Sequence, residues 1–158
     1  MSLEAPFHAG RFEPALVRLT NVGVLRGHLC EKLKMEFKDF GLHEDIQRAL
    51  VAKRYSEPTP IQAQAIPVLM KGRDLCGIAQ TGTGKTAAFS LPSLHHLLSN
   101  PKPRPPRGCR MLVLSPTREL AAQIAQNCRD YARFAKLVVS TVFGGVPINK
   151  QIRDLAQG

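Results

Sequence analysis

The sequence predicts an α/β fold, and three features of it do so. Short, continuously apolar runs recur along the chain, stretches with helical spacing separate them, and the two kinds alternate from residue 37 onward. A run that is apolar at every position is buried on both faces, as in a parallel sheet with helices on both sides. The 158 residues suit one domain. With 44% hydrophobic and 22% charged residues the chain can build a core, which excludes pure disorder. No stretch approaches the ~18–20 apolar residues a membrane-spanning helix needs.

Residues 1–34 show no clean period. Between Leu16 and Leu29 the apolar residues are broken by Arg18, Thr20, Asn21, Gly23, Arg26, Gly27 and His28, so no secretory core forms. Arg11, Arg18 and Arg26 suit an organelle transit peptide, whereas Glu4, Glu13 and Glu31 do not. Residues 1–36 read as a poorly organised N-terminal extension, with Met35 marking the start of the folded unit.

The elements of residues 37–158 then follow in order. Leu42, Ile46, Ala49 and Leu50 are spaced as on a helix. Ile61, Ala65, Ile66 and Leu69 repeat that spacing behind a Thr59-Pro60 start signal. Leu75 to Ala79 is a short apolar strand, followed by a glycine-rich turn and a helix carrying Leu91, Leu94, Leu97 and Leu98. Pro92 should kink that helix or interrupt its hydrogen bonds. Residues 100–108, rich in proline, are a connector. Met111 to Leu114 is a second strand, Leu120, Ile124, Cys128 and Tyr131 line a helix, Leu137 to Phe143 is a third strand, and residues 148–155 begin another helix.

The formal charge is +10, and it is uneven: residues 1–36 hold five Lys/Arg against four Asp/Glu, and the remainder 17 against eight. A basic body suits a polyanionic partner, nucleic acid first, and it equally suits plain solubility. Cys30, Cys76, Cys109 and Cys128 form no Cys-x-x-Cys pair. Cys76 and Cys128 fall at apolar positions, so reduced thiols and a cytoplasmic setting are the economical reading, with no disulfide partner. His95 and His96 are adjacent and diverge on a helix, which argues against a shared metal.

Residues 79–86 read Ala-Gln-Thr-Gly-Thr-Gly-Lys-Thr and lie between the first strand and a helix, where a phosphate-binding loop belongs. Gly82 and Gly84 let the backbone curl and turn its N–H groups on an anion. The next helix adds its N-terminal amides and dipole. Lys85 can reach the β- and γ-phosphates, and the Thr86 hydroxyl can ligate Mg²⁺. Upstream, Gln62 carries an amide able to donate to one adenine edge atom and accept from its neighbour, while Phe37 or Tyr55 can pack on a base. Taken alone, such a glutamine is also an ordinary surface residue.

Together these residues resemble the DEAD-box RNA helicase family. Its Q motif is similar to Phe37, standing 17 positions before Arg54, followed by Arg54-Tyr55-Ser56-Glu57-Pro58-Thr59-Pro60-Ile61-Gln62. The family usually has glycine where Arg54 stands. Its motif I resembles residues 79–86, with the alanine at Ala79 included, and its motif Ia resembles Pro116-Thr117-Arg118-Glu119-Leu120-Ala121. Its glycine doublet resembles Phe143-Gly144-Gly145. The tone is nearest to bacterial members.

The resemblance implies a RecA-like parallel sheet around a P-loop, incomplete at its C-terminal end, over residues 37–158. It implies ATP and Mg²⁺ as cofactors and RNA as partner. Phe37, Tyr55, Glu57 and Gln62 would hold adenine, and Ala79, Gln80, Thr81, Gly82, Thr83, Gly84, Lys85 and Thr86 the phosphates. Lys85 and Thr86 would serve catalysis, Thr86 with the metal. Pro116, Thr117, Arg118, Gly144 and Gly145 would hold the RNA backbone. Read alone, Pro116-Thr117 is an ordinary helix cap, and Lys102, Arg104, Arg107 and Arg110 are a solvated loop. The sequence contains no Asp-Glu-Ala-Asp, the family's motif II. Hydrolysis needs such a carboxylate, so the chain reads as the opening part of a helicase, expected to be inactive alone, with an open sheet edge beside the phosphate loop. The other reading is a non-catalytic piece that binds nucleotide or RNA weakly.

Overall fold

Three of the helices among the described residues begin where the sequence supplies a partner for their free N–H groups. The computed structural model describes residues 15–18, 35–103 and 108–156, the first four as backbone. A strand β1 (Ala15–Arg18) precedes a 3₁₀ turn at Phe37–Phe40, which leads to α1 (Glu44–Ala52) and α2 (Pro60–Met70). Then come β2 (Leu75–Ile78), α3 (Lys85–Ser99), α4 (Arg118–Tyr131) and α5 (Ile148–Leu155).

His43 caps α1, its Nδ1 accepting from the Asp45 amide at 3.3 Å, and Glu44 and Asp45 suit the positive end of the helix dipole. Thr59 and Gln62 form a reciprocal capping box at α2, with Pro60 at the first position, where no N–H is required. Thr117 caps α4 by accepting from the Leu120 amide at 3.2 Å. The expected disturbance at Pro92 does not end α3, which runs on to Ser99 with Pro92 fully buried. Arg110, read from sequence as part of a solvated loop, closes the far end of α3: its guanidinium donates to the carbonyls of Leu97 at 3.1 Å and Asn100 at 2.6 Å. Arg104 and Arg107 lie outside the described residues.

The main core is helical. Phe37, Leu42, Ile46 and Leu50 meet Ile66 of α2, Ala87, Leu91 and Leu94 of α3, and Tyr131 and Ala132 at the end of α4. Ile46, Leu50, Ile66 and Leu91 are at most 1% exposed, and each such side chain contributes about 1.5–3 kcal/mol on burial. A second cluster joins Ile61 and Ala65 of α2, Ala88 of α3, and Leu75 and Ala79. It seats β2 on α2, and the alternation of the strand leaves Cys76 and Ile78 facing away and exposed.

Three expectations are corrected here. Met111–Leu114 and Leu137–Phe143 are not paired strands: among the described residues the sheet has two strands, β1 and β2. Among the described residues neither segment has a neighbour to exchange backbone hydrogen bonds with, and a strand exists only as half of a pair. Second, among the described residues helices cover one face of this two-stranded sheet, α2 packing there while Ile78 is 56% exposed on the other. For the same reason Cys76, assigned an apolar position, is exposed. Third, β1 arises inside the stretch read as poorly organised. It pairs with β2 in parallel, Ala15 opposite Leu75 through Arg18 opposite Ile78. The rest of residues 1–34 lies outside the described residues.

Candidate nucleotide and phosphate-backbone site

The loop between β2 and α3 turns on two glycines. Gly82 has φ 78° and Gly84 φ 90°, left-handed values that cost an L-residue roughly 1–2 kcal/mol. At Gly84 a second constraint applies. A Cβ there would stand 2.3 Å from Gln62 Nε2 and 3.1 Å from Thr59 Oγ1. The Q segment is pressed against the loop at that point and leaves no room for a side chain.

The contacts explain the close approach. The Thr59 hydroxyl donates to the Thr83 carbonyl at 2.8 Å, and Gln62 Nε2 donates to the Gly84 carbonyl at 3.1 Å. Gln62 Oε1 accepts from the Thr59 amide at 2.9 Å, and Gln62 is 4% exposed. Gln62 is therefore a brace between α2 and the loop, not a surface residue. Its amide still has one N–H and one oxygen lone pair uncommitted by these two bonds, the complement of an adenine edge. Within the loop, Thr83 Oγ1 donates to the Gln80 carbonyl at 2.8 Å, and the Lys85 ammonium donates to the carbonyls of Ala79 at 2.5 Å and Gln80 at 2.6 Å. Thr86 is half-buried in the first turn of α3, while Gln80, Thr81 and Gly82 are exposed.

The aromatic residues divide their work differently from the sequence reading. Phe37 is 5% exposed and sits in the helical core, its ring stacked on Tyr55 at 6.2 Å and edge-on to Phe40 at 6.0 Å. Tyr55, at 39%, is the exposed ring of the pair. Phe37 thus supports Tyr55 and offers little surface of its own. Glu57 is exposed on the turn that leads to Thr59.

Arg54, where the resembling family has glycine, is the one non-glycine residue at positive φ among the described residues, at 58°. The chain leaves α1 through a left-handed residue there, and arginine bears the strain that glycine would avoid.

The second cluster lies at the start of α4. The Arg118 guanidinium packs against Gly145, where an added Cβ would be 2.6 Å from Nη2. Gly145 has φ 70°. Gln151 of α5 fastens Phe143, accepting from its amide at 2.8 Å and donating to its carbonyl at 3.1 Å. The structure therefore brings Thr117, Arg118, Gly144 and Gly145 together, exposed, with Pro116 leading into the cap. The free N–H groups of the first turn of α4 and one guanidinium suit a phosphate.

Sequence reasoning missed the double role of Thr59, although the Thr-x-x-Gln spacing of a capping box was there to find it. Gln151 carried no such signal.

Comparison with known proteins bears on this pair of clusters. Residues 59–158, which contain Gln62, the phosphate loop and the cluster at the start of α4, match the DEAD/DEAH box helicase model. The chain belongs to the DEAD/DEAH box helicase family. It is 41% identical over 158 residues to ATP-dependent RNA helicase ddx46 of Dictyostelium discoideum, covering 99% of this chain and 14% of that protein. It is 51% identical over 113 residues to ATP-dependent RNA helicase SrmB of Haemophilus influenzae, covering 70% and 25%. Among solved structures, the RNA helicase Prp28 of Chaetomium thermophilum bound to ADP superposes with a TM-score of 0.69 at 37% identity, covering 78% of this chain and 30% of that one. The fold is RecA-like α/β. This DEAD/DEAH chain spans less than a third of the length of these curated relatives.

Proposed function

We propose that the chain is the nucleotide-gripping part of an ATP-dependent RNA helicase of the cytoplasm, holding ATP at the phosphate loop and an RNA backbone at the start of α4. One observation carries this reading: Gln62 and Thr59 are bonded directly to the phosphate loop at Gly84 and Thr83. A base-reading amide and a phosphate cradle are thereby held at a fixed separation, as a nucleotide requires. The relatives' names support ATP and RNA as the ligands.

The residues fit a triphosphate. The left-handed glycines and the opening of α3 supply inward N–H groups, and Lys85 a cation that exchanges loop carbonyls for phosphate oxygens. Among the described residues no three His, Cys, Asp or Glu cluster to hold a metal. Mg²⁺ would enter with the nucleotide, held by Thr86 and the phosphates, and would neutralise charge on the transferred group. Arg118 and the amides after Thr117 would take phosphates of the RNA, with Gly144 and Gly145 allowing the strand close approach.

The test is base selectivity. Gln62→Ala should weaken ATP binding by about 1–3 kcal/mol more than it weakens GTP binding, the worth of a bidentate amide contact. Titration of a fluorescent ATP analogue against its GTP counterpart reads this. An equal loss for both nucleotides would leave Gln62 as a brace only.

A further inference from the structure

α4 touches both ends of the proposed site. Its first turn carries Thr117 and Arg118, and its last carries Asp130 and Tyr131. At ~1.5 Å per residue its 14 residues put those ends roughly 20 Å apart. The far end is tied to the Q segment by three contacts. The Lys53 ammonium bonds Asp130 Oδ2 at 2.6 Å, between side chains 25% and 32% exposed. Gln126 donates to the other carboxylate oxygen at 2.8 Å, so Asp130 is held on both sides. The same ammonium lies 5.7 Å from the centre of the Tyr131 ring, and Tyr55 lies 6.4 Å from it. Lys53 and Tyr55 flank the left-handed Arg54, and the turn at Arg54 lets both neighbours reach the same helix.

The run of contacts is unbroken. The phosphate loop is bonded to Thr59 and Gln62, the segment before Thr59 contains Tyr55 and Lys53, these grip Asp130 and Tyr131, and the opposite end of α4 packs Arg118 on Gly145. Burial, and then Tyr55, holds the Tyr131 phenol well above its usual range, and the bond from Lys53 holds the Asp130 carboxyl below its own. The junction is therefore a neutral phenol beside a closed ion pair at ordinary pH.

We propose that the Lys53–Asp130 pair, with Tyr131 against Tyr55, makes α4 a lever between the nucleotide loop and the phosphate-backbone cluster. Lys53, Asp130 and Tyr131 are positioning residues: they touch neither ligand and fix the direction of a helix whose first turn does. The proposal rests on the function proposed above. A contiguous set of contacts permits coupling, and only a change at one end produced by a ligand at the other demonstrates it.

Amide hydrogen exchange on the whole chain, with ATP and Mg²⁺ as the probe, makes that measurement. In the parent, nucleotide slows exchange at Gly84 and Lys85, and also at Leu120 and Ala121, by about fivefold or more, the lower range of ordinary coupling. In Lys53→Met and in Asp130→Asn the slowing at Gly84 and Lys85 stays, while that at Leu120 and Ala121 falls below about twofold. Lys53→Arg keeps both. A merely structural role would instead speed exchange along α4 without nucleotide and leave the bound-to-free ratio at Leu120 unchanged, which overturns the proposal. A protected loop with no response at Leu120 in the parent also overturns it and leaves the proposed nucleotide binding standing. No protection at Gly84 and Lys85 would overturn that binding and the lever with it. Should circular dichroism show Lys53→Met unfolded, Asp130→Asn carries the test alone, with the same loss expected at Leu120.

Discussion

Around α3 the large apolar side chains are enclosed, and in the extended segments 111–114 and 137–143 several of them face solvent. Leu91 is 0% exposed and Leu94 3%, whereas Leu112 is 73%, Leu114 85%, Val138 65% and Val142 62%. Both regions are apolar, so hydrophobicity alone does not separate them. What separates them is where backbone hydrogen bonds find partners. A helix satisfies its own N–H and C=O groups within four residues, so α1 to α4 form and bury one stripe each. An extended segment depends on a neighbour that the sequence beside it does not provide. α5 shows the same exposure as the extended segments: Ile148 and Ile152, on one face of the helix, are 67% and 57% exposed.

The contrast is most open to attack by truncating one leucine in each region. Leu91→Ala should cost about 2–5 kcal/mol, because it opens a hole among Leu50, Ile66 and Tyr131 in a packed core. Leu114→Ala should fall within about 0.5 kcal/mol of the parent, as exposed positions do. Urea unfolding of the two variants gives both values. Comparable losses would mean that residues 111–114 are buried in solution and that the contrast is false.

Gly84→Ala asks whether the closed region depends on the contact between the Q segment and the loop. The substitution places a Cβ at φ 90° and 2.3 Å from Gln62 Nε2. Strain of roughly 1–2 kcal/mol and the loss of a hydrogen bond worth about 1 kcal/mol should together destabilise the fold by about 2–3 kcal/mol. Binding of an ATP analogue should fall at least about tenfold, since the displaced carbonyls carry the loop with them. Normal affinity in a stably folded variant would show that the loop tolerates a different path.

The same contrast marks what was legible in the sequence. The spacing of Leu42, Ile46, Ala49 and Leu50, or of Leu120, Ile124, Cys128 and Tyr131, reports a helix because the pattern and the hydrogen bonds are both local. The turn between β2 and α3 was legible for a similar reason, its glycines being compressed into residues 79–86. The pairing of β1 with β2 was not, because residue 15 and residue 75 meet only in the fold. Phe37 and Gln62 were misjudged in exposure. Both were read as surfaces for a base, and both are buried by contacts from elsewhere, Phe37 by Tyr55 and Gln62 by Gly84. Arg54 was visible as a departure from the family, and the structure supplies the reason glycine suits the position.

Arg54→Gly sharpens the comparison by improving the closed region without adding a contact. Glycine relieves the left-handed strain at φ 58°, roughly 1–2 kcal/mol, and gives part of it back through the greater freedom of the unfolded chain. The expected net gain is about 1 kcal/mol or less, a rise in Tm of a few degrees. A drop in Tm would mean that the Arg54 side chain contributes more than its backbone costs.

The smallest effect concerns pH, and it too belongs to the closed region. His95 Nδ1 accepts the backbone N–H of His43 at 3.0 Å, so the imidazole joins α3 to the cap of α1 only while that nitrogen is unprotonated. Burial, then His96 and His43, hold its pKa below the ordinary 6.5. Asp45 stands 3.7 Å from His43 Nδ1 on the facing helix, and Ser99 Oγ lies 3.3 Å from His95 Nε2. The unfolded chain therefore binds a proton at His95 more readily than the folded one. Its contribution to stability is complete above pH 6.5 and is lost as pH falls through the lower folded value. Asp130 adds a second loss of the same sign below 3.8, when Lys53 loses its carboxylate. Urea unfolding at pH 7.5, 6.5 and 5.5 should show a shallow decline in this window, and His95→Gln, which keeps an acceptor and cannot protonate there, should flatten it. A decline of unchanged slope in His95→Gln would assign the pH response to another group and leave the His43–His95 contact as packing alone.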